Sequence, residues 1–253
     1  MEPGTAGVVT ASLTVFVDAL EFVVDERHLI LQKTWEHLLL SGAAVAIAIA
    51  IALPLGVWLG HLHRGSFLAV NVANLGRALP SLALIALGFV FIGVGFWSVA
   101  IALVVLAVPP ILTNAYVAVD GVQTDAVEAA RGMGMTRRQI VTRVELPLAL
   151  PLIFAGIRTA TVFVVATATI AAVAGGGGLG DIIVNQAGYG LEGVVGAAIC
   201  VSVLALLADG AVGLLQRALT PPGLRIEARS YEADVTTVPS RELSVSKVEG
   251  HPG

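Results

Sequence analysis

The sequence predicts an all-α integral membrane protein with five membrane-spanning helices. Hydrophobic residues make up 57% of its 253 residues and charged residues only 13%, which is too little charge to cover a soluble domain. The mean hydropathy of +0.90 agrees with this composition. The apolar residues also occur in runs of about twenty or more, the length that a helix needs to cross a bilayer core.

Each predicted span corresponds to one of these apolar stretches. The second stretch contains a proline, Pro80, at which we expect the helix to be interrupted. The spans are predicted over residues 38–59, about 67–91, 97 to about 119, 148–174 and 193–215.

Two regions flank this membrane domain of residues 35–217. Residues 1–34 carry several acidic side chains and lack the basic start of a cleaved signal, so we expect an amphipathic segment at the outer membrane surface. Residues 218–253 have little to bury and predict a disordered cytoplasmic tail.

The distribution of lysine and arginine predicts the orientation, because these residues concentrate in cytoplasmic flanks. One set of flanks holds only Arg27 and Lys33, and the opposite set holds most of the basic residues. We therefore expect a multi-pass protein of the cytoplasmic (inner) membrane, with its N-terminus outside and its C-terminus inside. The basic flanks contain Arg64, Arg131, Arg137, Arg138, Arg143, Arg217, Arg225 and Arg229.

Between the third and fourth spans, within residues 120–150, lies the charged sequence EAARGMGMTRRQIVTRVELP. We expect Glu128 to begin a short helix that ends at glycines, since glycine adopts the left-handed turn of a helix C-terminus. Thr136 and Gln139 have the spacing of a capping box for a second helix, which Leu146 and Pro147 should close. Exposed apolar side chains would make this helical pair a protein-docking surface: Met133, Met135, Ile140, Val141 and Val144.

This segment resembles the loop motif of ABC-transporter permeases, which reads EAA, three residues, G, nine residues, I, one residue, LP. The chain has valine in place of the isoleucine, and the resemblance extends over residues 35–217. The resemblance is closest to the permeases for glycine betaine, carnitine, choline or proline, because the chain also contains the sequences RALPSLALIALGF, GIRTATV and GGGGLGD. The matching positions are Glu128, Ala129, Ala130, Gly134, Val144, Leu146 and Pro147.

The resemblance implies the fold, partners and mechanism of a type I importer permease, similar to the methionine permease. The charged segment would be a coupling loop that fits a groove on a cytoplasmic ATPase dimer, which would bind ATP and Mg²⁺. A second permease chain, identical or related, would complete the pathway, and a separate extracytoplasmic protein would capture the solute. No cofactor in this chain, no catalytic activity of its own and no nucleic-acid partner are expected.

Ionisable residues inside spans are costly and usually face the protein interior. Arg158 and Asp209 lie at similar depths, about 10 Å from the cytoplasmic ends of their spans. Because their charges are opposite, we expect them to form an ion pair. Direct contact with substrate is the alternative role for these two residues. Arg77, just before Pro80, is a further candidate for lining the permeation path.

Two other motifs have residue types that are found in ligand-binding sites. The glycine-rich sequence lacks the lysine and Ser/Thr of a phosphate-binding loop, so it is either a flexible connector or an outward loop near the path and the binding protein. His61 and His63 have no acidic or cysteine neighbours in sequence and indicate a basic patch with Arg64 rather than a metal site. The glycine-rich loop comprises Gly175, Gly176, Gly177, Gly178, Gly180 and Asp181.

Three other functions remain as alternatives. An ion-coupled secondary transporter would need inverted repeats and acidic residues near the midplane, and neither is evident. A membrane enzyme would need a catalytic set, which the sequence lacks. Within the permease class, methionine or another amino acid is the alternative substrate.

Overall fold

The computed structural model describes residues 5–63 and 66–220, and the regular structure in these ranges is helical. Arg64, Arg225, Arg229 and nearly all of the predicted tail lie outside the described residues. The helices are α1 (Thr5–Asp25), α2 (Arg27–His61), α3 (Ser66–Ala78), α4 (Ser81–Ile92), α5 (Phe96–Asp120), α6 (Thr124–Gly132), α7 (Arg137–Ile140), α8 (Leu146–Thr167), α9 (Gly180–Val184) and α10 (Gln186–Leu219).

Four helical stretches among the described residues are long and apolar enough to cross a membrane. They coincide with the first, third, fourth and fifth spans predicted from the sequence, so the all-α membrane architecture is confirmed. The fourth span continues beyond α8 as a 3₁₀ segment, Ala168–Ala174. The four stretches are Arg27–His61, Phe96–Asp120, Arg137–Ile170 and Gln186–Leu219.

The second predicted span consists of two shorter helices, α3 and α4, separated at Leu79 and Pro80. Proline has no backbone N–H and disfavours helical geometry in the preceding residue, and Pro80 itself is extended, with ψ of 123°. The predicted interruption is therefore confirmed. That α3 and α4 together make one crossing, giving five spans in all, stays a prediction.

Small residues let α2 and α5 pack closely side by side. A Cβ added at Gly56 would lie 2.7 Å from the Cβ of Ala115, and one at Gly60 would lie 2.8 Å from the carbonyl oxygen of Tyr116. Because both distances are too short for real atoms, glycine is required at these two contacts. The packing carries the end of α2 to the end of α5, beside the charged segment.

The N-terminal helix α1 packs against α10. Ala19 is fully buried, and Phe22 makes an edge contact with Tyr189, with ring centroids 6.3 Å apart. The exposed residues of α1 include Asp18 and Glu21. The helix is thus anchored to the membrane domain, and its place at the outer membrane surface stays a prediction.

Candidate functional site: the charged segment and its contacts

The charged segment folds into two short helices, α6 and α7, joined by a glycine turn. Gly134 has φ of +78°, in the left-handed region that favours glycine. Its N–H donates to the carbonyl oxygen of Arg131 at 2.9 Å, and the N–H of Met135 donates to that of Ala130 at 3.2 Å. The predicted glycine-terminated helix is confirmed, with Gly134 rather than Gly132 making the turn.

A capping box fixes the start of α7, as the sequence predicts. The backbone N–H of Gln139 donates to Oγ1 of Thr136 at 3.4 Å. In return the N–H of Thr136 donates to Oε1 of Gln139 at 2.8 Å. These reciprocal bonds satisfy donors that a helix N-terminus leaves unpaired.

The position predicted for Glu128 is wrong. The first helix begins at Thr124, and the acidic residue in its first turn is Asp125. Gln123 precedes the helix in a non-helical conformation. Glu128 therefore lies in the middle of α6 with its side chain exposed, and it does not interact with the helix N-terminus.

The predicted exposure of Ile140 is also wrong, because the segment has a small core of its own. Ile140 is only 2% exposed and packs with Val127 and Ala130. Met135 and Val144 are partly buried against this cluster, whereas Met133 is 70% exposed. The two helices are thus held together from inside, and Met133 remains as the exposed large apolar residue of the segment.

Leu146 and Pro147 do not close the second helix, contrary to the prediction. A π-helical turn, Val141–Glu145, joins α7 directly to α8. In this turn the N–H of Leu146 bonds to the carbonyl oxygen of Val141, five residues back. The wider turn accommodates the ring and the missing N–H of Pro147, so the helix continues into the membrane. The segment is therefore continuous with the fourth span.

A second connection joins the segment to α2, and the sequence did not predict it. Glu145 is 3% exposed, and its Oε1 and Oε2 lie 3.0 and 2.8 Å from Nδ1 of His61. The ring N–H donates to the carboxylate, which would otherwise be buried without a partner. The two residues are 84 positions apart, and only the charge of Glu145 within the LP motif could have drawn attention to them.

The neighbouring histidine makes a separate and more exposed contact. Nδ1 of His63 lies 2.8 Å from Oδ1 of Asp120, and its side chain is 60% exposed. The two histidines therefore bind different carboxylates instead of converging on one point. Among the described residues, no three His, Cys, Asp or Glu side chains are placed to hold a metal ion.

Arg158 on α8 and Asp209 on α10 form the ion pair predicted from their depths. Nε of Arg158 donates to Oδ1 of Asp209 at 2.8 Å, and Nη2 donates to Oδ2. This two-point geometry is the strong form of an arginine–carboxylate contact. The side chains are 43% and 28% exposed in the isolated chain, so the pair lies at its surface.

The glycine-rich loop is attached to α2 at a point close to the start of the first span. Nζ of Lys33 donates to Oδ2 of Asp181 at 2.7 Å and to Oε2 of Glu36 at 2.9 Å. The same carboxylate of Glu36 accepts the backbone N–H of Gly178 at 3.1 Å. The loop is therefore attached to α2 at two points, Asp181 and Gly178, and its position near the permeation path and the binding protein stays a prediction.

Glycine is required at Gly178 for two reasons. Its φ is +84°, and a Cβ there would lie 3.1 Å from Nδ1 of His37. His37 is fully buried, with Nε2 2.9 Å from the carbonyl oxygen of Val165. The loop thus lies directly against the N-terminal part of α2. Gly175 and Gly177 also have positive φ, and Gly176 and Gly180 complete the run.

The predicted site residues therefore fall into four separate places. The charged segment brings together its own motif residues, the ion pair lies on α8 and α10, and the glycine loop lies on α2. Pro80 is exposed in the break between α3 and α4, and Arg77 belongs to the last turn of α3. The segment's residues divide into exposed Glu128, Ala129, Met133 and Gly134, half-buried Met135, Val144, Leu146 and Pro147, and buried Ala130 and Ile140.

The fold has several spans and a compact charged segment between two of them. This architecture is typical of the membrane subunit of a transporter. Residues 52–221 match the family described as "Binding-protein-dependent transport system inner membrane component". The chain belongs to this family, whose members are the permeases of ABC importers, and the resemblance inferred from the motif is confirmed.

Relatives and a solved structure agree with this membership. The chain is 40% identical over 197 residues to the choline transport system permease protein OpuBB of Bacillus subtilis (strain 168), covering 78% of this chain and 91% of that protein. It is 41% identical over 209 residues to the carnitine transport permease protein OpuCB of Listeria monocytogenes, covering 82% and 95%. A chain of the inward-facing methionine ABC transporter MetNI matches with a TM-score of 0.67 and 27% identity, covering 78% and 99%.

Proposed function

We propose that this chain is the permease subunit of an ATP-driven importer for an osmoprotectant such as choline, carnitine, glycine betaine or proline. The observation that carries the substrate class is the 40–41% identity, over about four fifths of the chain, to permeases named for choline and carnitine. The likeness to the methionine transporter supports the same fold at lower identity, so methionine or another amino acid is the second candidate.

In this proposal the charged segment docks onto a cytoplasmic ATPase dimer, which binds ATP and Mg²⁺, while this chain binds no cofactor. Three features support that role. Met133 and the arginines Arg131, Arg137 and Arg138 present an exposed apolar and basic surface. The small core keeps that surface in one shape. The π-helical turn and the His61–Glu145 contact link it to two membrane helices.

The Arg158–Asp209 pair supports a second permease chain. An ion pair at depth in the membrane is costly against lipid, so such groups normally face protein or water. In the isolated chain the pair is partly exposed. A second copy of this chain, or a related permease, would cover this surface and complete the pathway. A direct role of the pair in holding substrate is the alternative.

Solute capture is assigned to a separate extracytoplasmic binding protein. The tied-down glycine loop and the outer end of α2 form a firm surface for it, held by Lys33, Glu36 and Asp181. Aromatic cages usually hold quaternary ammonium groups, and aromatic residues are only 6% of this chain. Recognition of the free solute therefore belongs on the partner protein.

Uptake by the assembled importer tests this function. Proteoliposomes containing the permease, its ATPase and its binding protein are expected to accumulate radiolabelled choline, carnitine, glycine betaine or proline only when ATP is enclosed with the ATPase. Methionine should not compete. Uptake driven by an ion gradient without ATP would instead indicate a secondary transporter, and accumulation of methionine alone would indicate the amino-acid permease.

Cysteine labelling tests the proposed orientation. In a Cys200→Ala background, which removes the single cysteine, Gly177→Cys should react with an impermeant thiol reagent added outside intact cells. Arg138→Cys should react only after the membrane is opened. The reverse pattern would show that the basic flanks face outward and that the charged segment cannot meet a cytoplasmic ATPase.

A further inference from the structure

A cavity of about 590 Å³ lies where the broken second span meets α5 and α8. Leu79 and Ser81, on either side of Pro80, line it from one side. Asn114 of α5 and Thr159 of α8 line it from the other sides. Thr159 is about 20 Å along α8 from Leu146, so the cavity lies inside the predicted membrane region.

The break in the helix indicates that this cavity holds water when the chain is in a bilayer. Backbone that is not helical is tolerated at membrane depth only where it is covered by protein or lines a water-filled cavity. Leu79 is 39% exposed, so neighbouring residues of this chain do not cover the break. The carbonyl oxygen of Pro80 accepts the N–H of Leu84 at 3.2 Å, and the cavity provides polar surroundings for the rest of the non-helical backbone at the break.

The polar side chains around the cavity keep several acceptors free. Oγ1 of Thr159 already donates to the carbonyl oxygen of Ala155 at 3.0 Å. Nδ2 of Asn114 likewise donates to that of Pro110 at 2.8 Å. The Asn114 amide oxygen and the Thr159 hydroxyl lone pairs remain available. Among the lining residues that the structure describes, none is ionisable.

Phe163 adds an aromatic ring to the same lining. Aromatic faces attract cations, and the attraction strengthens where water is partly excluded. A quaternary ammonium group carries a positive charge and has no hydrogen-bond donor, so it makes no use of donors and is stabilised by oxygen lone pairs and by an aromatic ring. An anion would find no cation among the described lining residues.

We propose that this cavity is a transit subsite for the quaternary ammonium group of the solute, an inference that rests on the proposed function. The cavity exceeds the size of one small solute, so the solute would share it with water. Loose holding of this kind suits a position on a pathway, since a solute that bound tightly would leave slowly. Capture with high affinity stays with the binding protein.

Thiol reagents of opposite charge test the subsite directly. Thr159→Cys and, as a second position, Ser81→Cys are made in the Cys200→Ala background and assembled with the ATPase. Each variant is reacted with 2-(trimethylammonium)ethyl methanethiosulfonate and with its 2-sulfonatoethyl counterpart. Each rate is divided by the rate of the same reagent with a free thiol in solution. Val203→Cys, half exposed on α10 and outside this cavity, is the control for a position facing lipid.

The trimethylammonium reagent should react about fivefold faster than the sulfonate after this correction, the order of selectivity that a cation–aromatic contact supplies. Added choline should slow that reaction, and Val203→Cys should react with neither reagent. Equal corrected rates, a preference for the sulfonate or no reaction at both cavity positions would overturn the subsite. Uptake by the unmodified importer is measured in parallel, so loss of the subsite alone is distinguished from failure of the proposed function.

Discussion

Replacing Gly134 with valine is expected to reduce uptake at least about tenfold by detaching the permease from its ATPase. Gly134 has φ of +78°, and in this left-handed region a β-branched residue is strained. Space is not the problem, because a Cβ at Gly134 would meet nothing within 4 Å. Valine would therefore change the turn, and α7 would take a new direction relative to α6.

Gly132 provides a matched control two residues away. It ends α6 without a positive φ, and a Cβ there also meets nothing within 4 Å. Gly132→Val should therefore leave ATPase binding and uptake close to the wild-type values. Gly134→Asn should lie between the two valine variants, because asparagine tolerates the left-handed region better than other residues do.

The measurement is co-purification of the ATPase with each variant, together with uptake and solute-stimulated ATP hydrolysis in vesicles. For Gly134→Val both activities should fall together, while the amount of permease in the membrane stays near normal because Gly134 lies in the charged segment, outside the predicted spans. Normal co-purification with normal uptake would mean that the turn at Gly134 is not needed for coupling and that the charged segment is an ordinary basic loop.

Features set by neighbouring residues could be predicted from the sequence. The left-handed turn at Gly134, the capping box of Thr136 and Gln139 and the helix break at Pro80 each follow from a few adjacent positions. Arg158 and Asp209 are far apart in sequence, but both lie in predicted spans, so counting residues from the membrane surface gives the depth of each. Depth along two spans was enough to place opposite charges at the same level.

Features that depend on how helices pack could not be predicted. The sequence predicts that Ile140 is part of an exposed docking surface. In the structure it is buried, because α6 packs over it. The His61–Glu145 contact joins the end of α2 to the π-helical turn before α8, and these two residues are 84 positions apart. Lys33 and Asp181 are 148 positions apart and meet only because the glycine loop turns back onto α2.

The second large effect is expected at His61, whose replacement by alanine should uncouple ATP hydrolysis from uptake. The ring of His61 is the partner of the Glu145 carboxylate, which is 3% exposed. Removing one partner of a buried pair leaves the other without compensation, at a cost of about 3 kcal/mol. The connection between the charged segment and α2 would then be lost, while the π-helical turn still joins the segment to α8.

This variant should therefore differ from Gly134→Val in a specific way. The exposed surface around Met133 is made by α6 and α7 and does not include His61, so the ATPase should co-purify at the wild-type level. ATP hydrolysis should continue, but uptake should fall about tenfold, the factor that a loss of about 1.4 kcal/mol in coupling gives. The ratio of solute taken up to ATP hydrolysed is the quantity that reports the change.

His63→Ala is the matched control, because His63 also binds a carboxylate, that of Asp120, at the same end of the molecule. Its side chain is 60% exposed, and exposed ion pairs contribute little. A second variant, His61→Ala with Glu145→Gln, removes the buried charge as well and should recover part of the thermal stability lost by His61→Ala, because an unpaired buried amide costs less than an unpaired buried charge, without restoring the transport ratio. If His61→Ala transports as well as His63→Ala does, the contact with Glu145 serves packing alone, and force reaches the spans through α8.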